Sequence, residues 1–188
     1  MITHKDITGW FDKASEYVYA SAVDRFGKSM EPTHFVEIGA YMGQSTCFMA
    51  QEIKKSGKNI KFDVVDHFIG SPEHQRDLKG KNLYQIFVNN MLLADVLWDM
   101  HVFVMDSIQA SKLYKDESLD FVFIDADHSY VCCKADILAW LPKIKQGGVL
   151  AGDDYIPVHP GVMKAVNEIF GVGTERKRTY GRIWLHDK

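Results

Sequence analysis

The stretch FVEIGAYMGQST, residues 35–46, passes from an apolar segment through two glycines into polar residues that open a helix. FVEI at 35–38 reads as a strand buried on both faces, and the residues after Gly43 take up a helical period. Gly39 and Gly43 permit positive φ and a close approach of backbone to a ligand. The helix start beyond them leaves backbone N–H groups without intrahelical partners. Strand, glycine turn and helix in that order make half of a βαβ unit.

The rest of the chain repeats the alternation. Apolar runs at 59–65 (NIKFDVV), 102–105 (VFVM), 121–124 (FVFI) and 148–151 (GVLA) read as further strands. Tyr84, Phe87, Val88, Met91 and Leu92 fall at helical spacing, as do Val162, Ala165, Val166, Ile169 and Phe170. Val131, Ala135, Leu138 and Leu141 mark another helix, which Pro142 ends or kinks. The first 28 residues read as a separate helix with Trp10, Ala14, Tyr17 and Val18 on one face, packed over the cofactor side or in a dimer. Residues 174–187 (TERKRTYGRIWLHD) hold Tyr180-Gly181 between two polar-apolar segments and read as an edge hairpin. The expected fold class is α/β: a doubly wound, mostly parallel seven-stranded sheet ending in an antiparallel hairpin. Its ligand belongs beyond the C-terminal ends of the parallel strands.

Composition sets the outer bounds. The 188 residues suit a single domain, 1–188, with 1–30 as a helical cap and 31–188 as the α/β core. A hydrophobic content of 46% and a net charge of −3 argue against disorder and give no electrostatic case for a nucleic-acid partner. No window is apolar enough for a membrane span, and MITHKDITGW lacks the apolar core of a signal peptide. Cys47, Cys132 and Cys133 have neither zinc spacing nor a CxxC pattern, so reduced thiols and a cytoplasmic location are expected.

The chemistry lies at the strand ends. The first turn is spaced G-x-x-x-G and lacks the third glycine of a dinucleotide fingerprint. Glu37 would repel a pyrophosphate and attract an ammonium group. Asp66 ends the second strand, where an acid can accept hydrogen bonds from both ribose hydroxyls of a nucleoside. With these residues in view, EIGAYMGQS resembles the first motif of class I S-adenosylmethionine (SAM)-dependent methyltransferases. It is especially similar to the GAYxGxS form of the catechol and caffeoyl-CoA O-methyltransferases. The resemblance implies cofactor-binding roles for Glu37, Gly39, Tyr41, Gly43 and Ser45, then Asp66 with His67, and adenine contacts around Asp106 and Ser107.

FVFIDADHSY at 121–130 and GGVLAGDDY at 147–155 place Asp125, Asp127, Asp153 and Asp154 just past two buried strands. Carboxylates that close raise one another's pKa unless a cation intervenes, and oxygen-only ligation suits Mg²⁺, Ca²⁺ or Mn²⁺. The alternative is plain helix capping with a solvated acidic loop. The resemblance implies Asp125, Asp153 and Asp154 as ligands of Mg²⁺ or another divalent cation, with Asp125 also touching the cofactor. His128 stands where catechol-type relatives have a lysine base, and a histidine can take a hydroxyl proton near neutral pH.

The implied activity is O-methylation of a small hydroxylated acceptor (catechol-like, acyl-CoA phenolic or sugar). A non-catalytic SAM-binding protein and a nicotinamide-dependent oxidoreductase are the alternatives, and a homodimer is plausible from the relatives. Tyr155, His159 and Pro160 are candidates for shaping the acceptor pocket. His67 and His74 fall in the polar 66–80 loop, Phe68 reads as core or as an adenine contact, and Cys132-Cys133 read as packing residues. Glu175, Arg176, Lys177, Arg178 and Arg182 read most simply as a solvated hairpin, or else as contacts for a phosphate-bearing acceptor.

Overall fold

A computed structural model describes residues 1–27, 32–70, 78, 80–173 and 177–188. Seven strands form one sheet in the order β3-β2-β1-β4-β5-β7-β6. They are β1 Thr33–Ile38, β2 Ile60–Asp66, β3 His101–Val104, β4 Leu119–Ile124, β5 Ile144–Gly152, β6 Lys177–Tyr180 and β7 Ile183–Asp187. β1 to β5 pair in parallel, while β7 runs antiparallel to β5 and β6 antiparallel to β7. The expected α/β class, with its C-terminal hairpin, is therefore what the chain forms. His74, Glu175 and Arg176 lie outside the described residues, as does most of the loop after Gly70.

The helices are α1 Lys13–Arg25, α2 Gln44–Ser56, α3 Leu83–Leu93, α4 Ser107–Ser111, α5 Tyr130–Trp140 and α6 Pro160–Phe170. Polar caps set several starts: Asp12 accepts from Ala14 N and Ser15 N, Asn82 from Gln85 N, and Ser129 from Cys132 N. α6 begins instead with Pro160 in its first turn, where a missing N–H costs nothing.

Strand side chains alternate between two cores. Phe35, Phe62, Val64, Phe121 and Phe123 pack under α1, α2 and α3, and Val36, Ile38, Val65, Val122 and Ile124 pack under α5 and α6. The face expected of α6 is the buried one. On α3, Phe87 and Met91 are buried as expected, but Tyr84 and Leu92 are exposed and Leu83 is buried instead.

α5 corrects the sequence reading. Val131 and Leu138 are 72% and 52% exposed, and the buried face is Cys133, Asp136, Ile137 and Trp140. The sequence carries two apolar stripes, and the one with the larger payload wins. Trp140 buries its whole ring and donates Nε1–H to Ser107 Oγ at 2.9 Å. Burial pushes the Asp136 carboxyl up to about 6, opposed by a hydrogen bond from Ser107. Of the two adjacent cysteines, Cys133 packs inside and Cys132 faces out.

The amino-terminal segment is corrected as well. The helix starts only at Lys13, and its buried residues are Ser15, Val18, Tyr19, Ala22 and Val23. Tyr17 lies outside that face and stacks on Tyr180 with ring centroids 4.5 Å apart. Trp10 precedes the helix in a strap that packs on the first glycine turn, at the C-terminal end of the interior strand β1. No helix among the described residues is long and apolar enough to cross a membrane.

Candidate active site

The sheet order reverses direction between β1 and β4, and a cleft of about 380 Å³ opens beyond their C-terminal ends. One wall is the glycine turn, with Gly39, Ala40, Tyr41, Gln44 and Ser45. The facing wall is Asp125, His128, Asp154, His159 and Arg182, and the strap 8–11 closes a third side.

The glycine wall is held from below. Gly39 has φ +86°, and a Cβ there would lie 1.8 Å from the Asp125 carbonyl oxygen. Only glycine lets the two strand ends, and hence the two walls, come this close. Gly43 caps the start of α2 with φ +91°. Asp66 Oδ2 accepts from Ala40 N at 2.8 Å and Tyr41 N at 3.0 Å, and Oδ1 accepts from Phe68 N at 2.7 Å. The acid at the end of β2 thus braces the glycine turn with Oδ2 and its own following loop with Oδ1.

Glu37 sits beneath the turn, fully buried, accepting from Tyr19 OH at 2.8 Å and Thr46 Oγ1 at 2.5 Å. Burial pushes its carboxyl up to about 7, against the pull of hydrogen bonds from Ser45, Thr46 and Tyr19. The strap is tied on by Phe11 N, which donates to Gln44 Oε1 at 3.1 Å, and by Trp10, whose ring centroid is 5.3 Å from that of Tyr41.

Other candidates stand back from the cleft lining. Asp106 caps α4 through Gln109 N, and Ser107 Oγ accepts from Trp140. His67 is exposed and accepts from Ile69 N through Nδ1. Phe68 packs against Tyr84 and Phe87 with centroids 5.1 and 5.0 Å away, which is the core reading of that residue.

The acidic wall gathers residues from three elements. Asp125 follows β4, and Asp153 and Asp154 follow β5; Asp153 N donates to Ile124 O at 3.0 Å, which ties the two ends together. Asp127 is exposed and accepts from Ser129 N within its own loop. His128 Nε2 lies 2.7 Å from Asp154 Oδ2, and His159 Nε2 lies 3.6 Å from Asp154 Oδ1. The two imidazole centroids are 4.2 Å apart. Gly161 makes this possible, because a Cβ there would meet His128 O and Tyr130 N at 2.6 Å. Its absence lets the first turn of α6 press His159 against the His128 loop.

Arg182 is the residue that the sequence reading placed elsewhere. Two of the hairpin cations point inward: Lys177 Nζ reaches Asn167 Oδ1 at 2.7 Å and Tyr155 OH at 3.0 Å, and Arg182 enters the cleft. Arg178 stays at the surface on Asp187. The guanidinium of Arg182 donates Nε–H to Asp153 Oδ1 at 2.5 Å and Nη2–H to Asp154 Oδ1. A signal was present, since an antiparallel strand next to β5 must begin beside the end of β5. It was obscured by the run of other charges around it.

Protonation follows this layout. Desolvation first, then Asp153 and Asp154, hold the Asp125 carboxyl well above the usual carboxylate range. Burial pushes Asp153 up to about 6 even with Arg182 beside it. Asp154 is also desolvated, yet His128, Arg182 and His159 bring it below its ordinary value. Repulsion of this kind among acids is what a hard cation relieves, and three carboxylates are a donor set that Mg²⁺ accepts. The three are not drawn together, however: among the described residues, the group whose ligand atoms lie within 4.8 Å of one another is His128, Asp154 and His159, and Asp125 and Asp153 stand outside it.

A methyltransferase domain family model matches residues 36–155, and the chain belongs to that family. The matched span takes in the glycine wall and, of the facing wall, Asp125, His128 and Asp154, but not His159, Arg182 or the strap 8–11. Among solved structures the chain is similar to the O-methyltransferase NovP, with 18% identity, 93% of this chain and 79% of that one covered, and TM-score 0.71. It is also similar to an O-methyltransferase from Bacillus cereus in complex with SAH, at 21% identity, 94% and 82% coverage, and TM-score 0.62. A third is CalS11, a TDP-rhamnose 3′-O-methyltransferase, at 15% identity, 93% and 76% coverage, and TM-score 0.60. At these identities the likeness is one of fold. No curated protein matches the chain.

Proposed function

We propose that this methyltransferase moves the methyl group of SAM to a hydroxyl of a small molecule, with His128 as the base and a divalent cation, Mg²⁺, as an aid. The observation that supports it is the facing of a braced glycine turn and the His128–Asp154 pair across one cleft of about 380 Å³, a volume within the range of small-molecule sites. The solved O-methyltransferases of like fold, one of them holding SAH, support the same donor and acceptor atom.

When bound, SAM supplies a methyl already activated on its sulfonium, and a cation held by Asp125, Asp153 and Asp154 would lower the acceptor hydroxyl's pKa. The protein supplies alignment and a place for the proton. Gly39, Tyr41 and Ser45 offer backbone and side-chain contacts to the donor, and Asp66, which already holds Ala40, Tyr41 and Phe68, would meet the ribose with its remaining lone pairs. Asp154 holds the His128 ring at the cleft wall through Nε2. In the transfer the acceptor oxygen would bond to the methyl carbon, the departing thioether would keep the electron pair of the broken bond, and His128 would take the hydroxyl proton. The strap 8–11 walls the cleft against water. The catechol, acyl-CoA phenol and sugar classes all remain acceptor candidates.

Calorimetry with SAM and with NAD, followed by a methyl-transfer screen over those acceptor classes with and without Mg²⁺, tests the reading. The expected result is SAM binding without NAD binding, and a His128→Gln variant that binds SAM normally while losing about 100-fold in turnover. NAD binding instead of SAM would favour an oxidoreductase. SAM binding without transfer to any class would favour a non-catalytic SAM-binding protein.

A further inference from the structure

Arg182 comes to the acidic wall from an element that carries none of the motif residues. β7 is antiparallel to β5, so its first residues lie beside the last ones of β5: Gly152 pairs with Trp184, and Tyr155 N donates to Arg182 O at 2.8 Å. The backbone of Arg182 is therefore fixed at the strand end where Asp153 and Asp154 emerge.

From that anchor the guanidinium takes Oδ1 of both acids. Asp153 Oδ1 also accepts from Asp154 N at 2.6 Å, and Asp154 Oδ2 faces His128 at 2.7 Å. Both carboxylates of the pair are thus engaged by one forked cation. Arg182 is about three-quarters buried and carries its charge at every physiological pH, so loss of its own proton cannot loosen this hold. Asp125, by contrast, lines the cleft at the end of the neighbouring strand β4.

We propose that Arg182 is a built-in counter-ion of the Asp153–Asp154 pair, and that a divalent cation enters the site by displacing the guanidinium from those carboxylates. The proposal rests on the reading of Asp125, Asp153 and Asp154 as metal ligands. It gives that site a second state, in which the acids are balanced from within and the fold needs no metal. Metal uptake is then an exchange of one cation for another, and its affinity is set by Arg182 as much as by the ligands.

The test is Mn²⁺ binding to the full chain, read by electron paramagnetic resonance of the free ion, with Mg²⁺ calorimetry alongside. Wild type, Arg182→Gln and Arg182→Lys are compared. Displacement requires Arg182→Gln to bind Mn²⁺ at least about 10-fold more tightly than wild type. Arg182→Lys, which keeps a charge but not the fork, is expected to fall between them. It also serves as the reporter if the glutamine variant does not fold. Equal or weaker binding by the variants would overturn the exchange and make Arg182 an orienting partner of the ligands. No Mn²⁺ binding by any of the three, with methyl transfer intact in chelator, would instead sink the metal reading itself.

Discussion

Glu37 and Asp63 are two buried acids on neighbouring strands, one register apart and on opposite faces of the sheet. Val36 pairs with Asp63 and Glu37 with Val64, and their relative exposures are 1% and 0%. Each accepts several side-chain hydrogen bonds, yet they sit on opposite sides of the usual carboxylate pKa. Glu37 is surrounded by hydroxyls and is pushed up to about 7. Asp63 accepts from His34 Nε2 at 2.6 Å, His101 Nδ1 at 3.0 Å and Tyr114 OH at 2.9 Å, with Lys61 Nζ at 3.4 Å. It too is desolvated, but His34 and its other partners lower it to about 2. Hydroxyl dipoles alone do not offset the cost of burying a carboxylate, whereas dipoles together with positive charge do. The acid below the glycine turn is poised to gain a proton near neutral pH, and the acid on the far face is locked as an anion.

The largest effect is expected from breaking the locked one. Asp63→Asn keeps the shape but strips His34, His101 and Lys61 of their anion, at a cost of about 3 kcal/mol in urea unfolding at pH 7. The pH dependence identifies the cause. Asp63 has a folded pKa below its unfolded value of 3.8, so its contribution is present above about pH 4 and is lost as pH falls toward about 2. Wild type should lose stability steeply in that window, and the asparagine variant should lack that part of the slope. Equal acid limbs in the two proteins would remove the comparison's first half.

The site acid predicts the opposite sign. Glu37 has a folded pKa above its ordinary value of 4.5, so folding favours its protonated form. Its contribution is complete below about pH 4.5 and is lost as pH rises through about 7. Between pH 5 and 8, wild type should lose about 2 kcal/mol that Glu37→Gln does not lose, measured by chemical unfolding at each pH. A glutamine variant that follows the wild-type slope would show that Glu37 is already ionised when folded.

The same pair shows what the sequence makes legible. Strand ends are readable, because FVEIG, FIDAD and GGVLAGDD each couple an apolar run to its terminal polar residues within a few positions. Gly39 and Asp125 could therefore be placed on facing walls from their strands alone. Partners across the sheet are not readable this way. Tyr19 reaches Glu37 from α1, Arg182 reaches Asp153 from a strand whose direction is set by the hairpin, and Trp10 reaches Tyr41 from an unstructured strap. Asp63 was hidden for another reason: within IKFDVVD it reads as one polar residue in an apolar strand, and its meaning lies in His34 and His101 on the strands to either side. The missed face of α5 belongs here too, since the stripe with the more apolar residues stays outside and the one carrying Trp140 is buried, where its indole finds Ser107.

The smallest effect is the most discriminating. Tyr19→Phe and Tyr114→Phe each delete one hydroxyl from a buried carboxyl, a loss of about 1 kcal/mol at neutral pH in either case. Their consequences for titration should diverge. Without Tyr19, Glu37 keeps only Ser45 and Thr46 as donors, so its pKa should climb further and the alkaline loss of stability should shift to higher pH. Without Tyr114, Asp63 keeps His34, His101 and Lys61, and its carboxyl should stay below the ordinary range. Carboxyl-carbon chemical shifts followed through pH would report both groups directly. If Tyr114→Phe instead brought Asp63 up to the ordinary carboxylate range with His34, His101 and Lys61 still in place, charge would not be what separates Asp63 from Glu37.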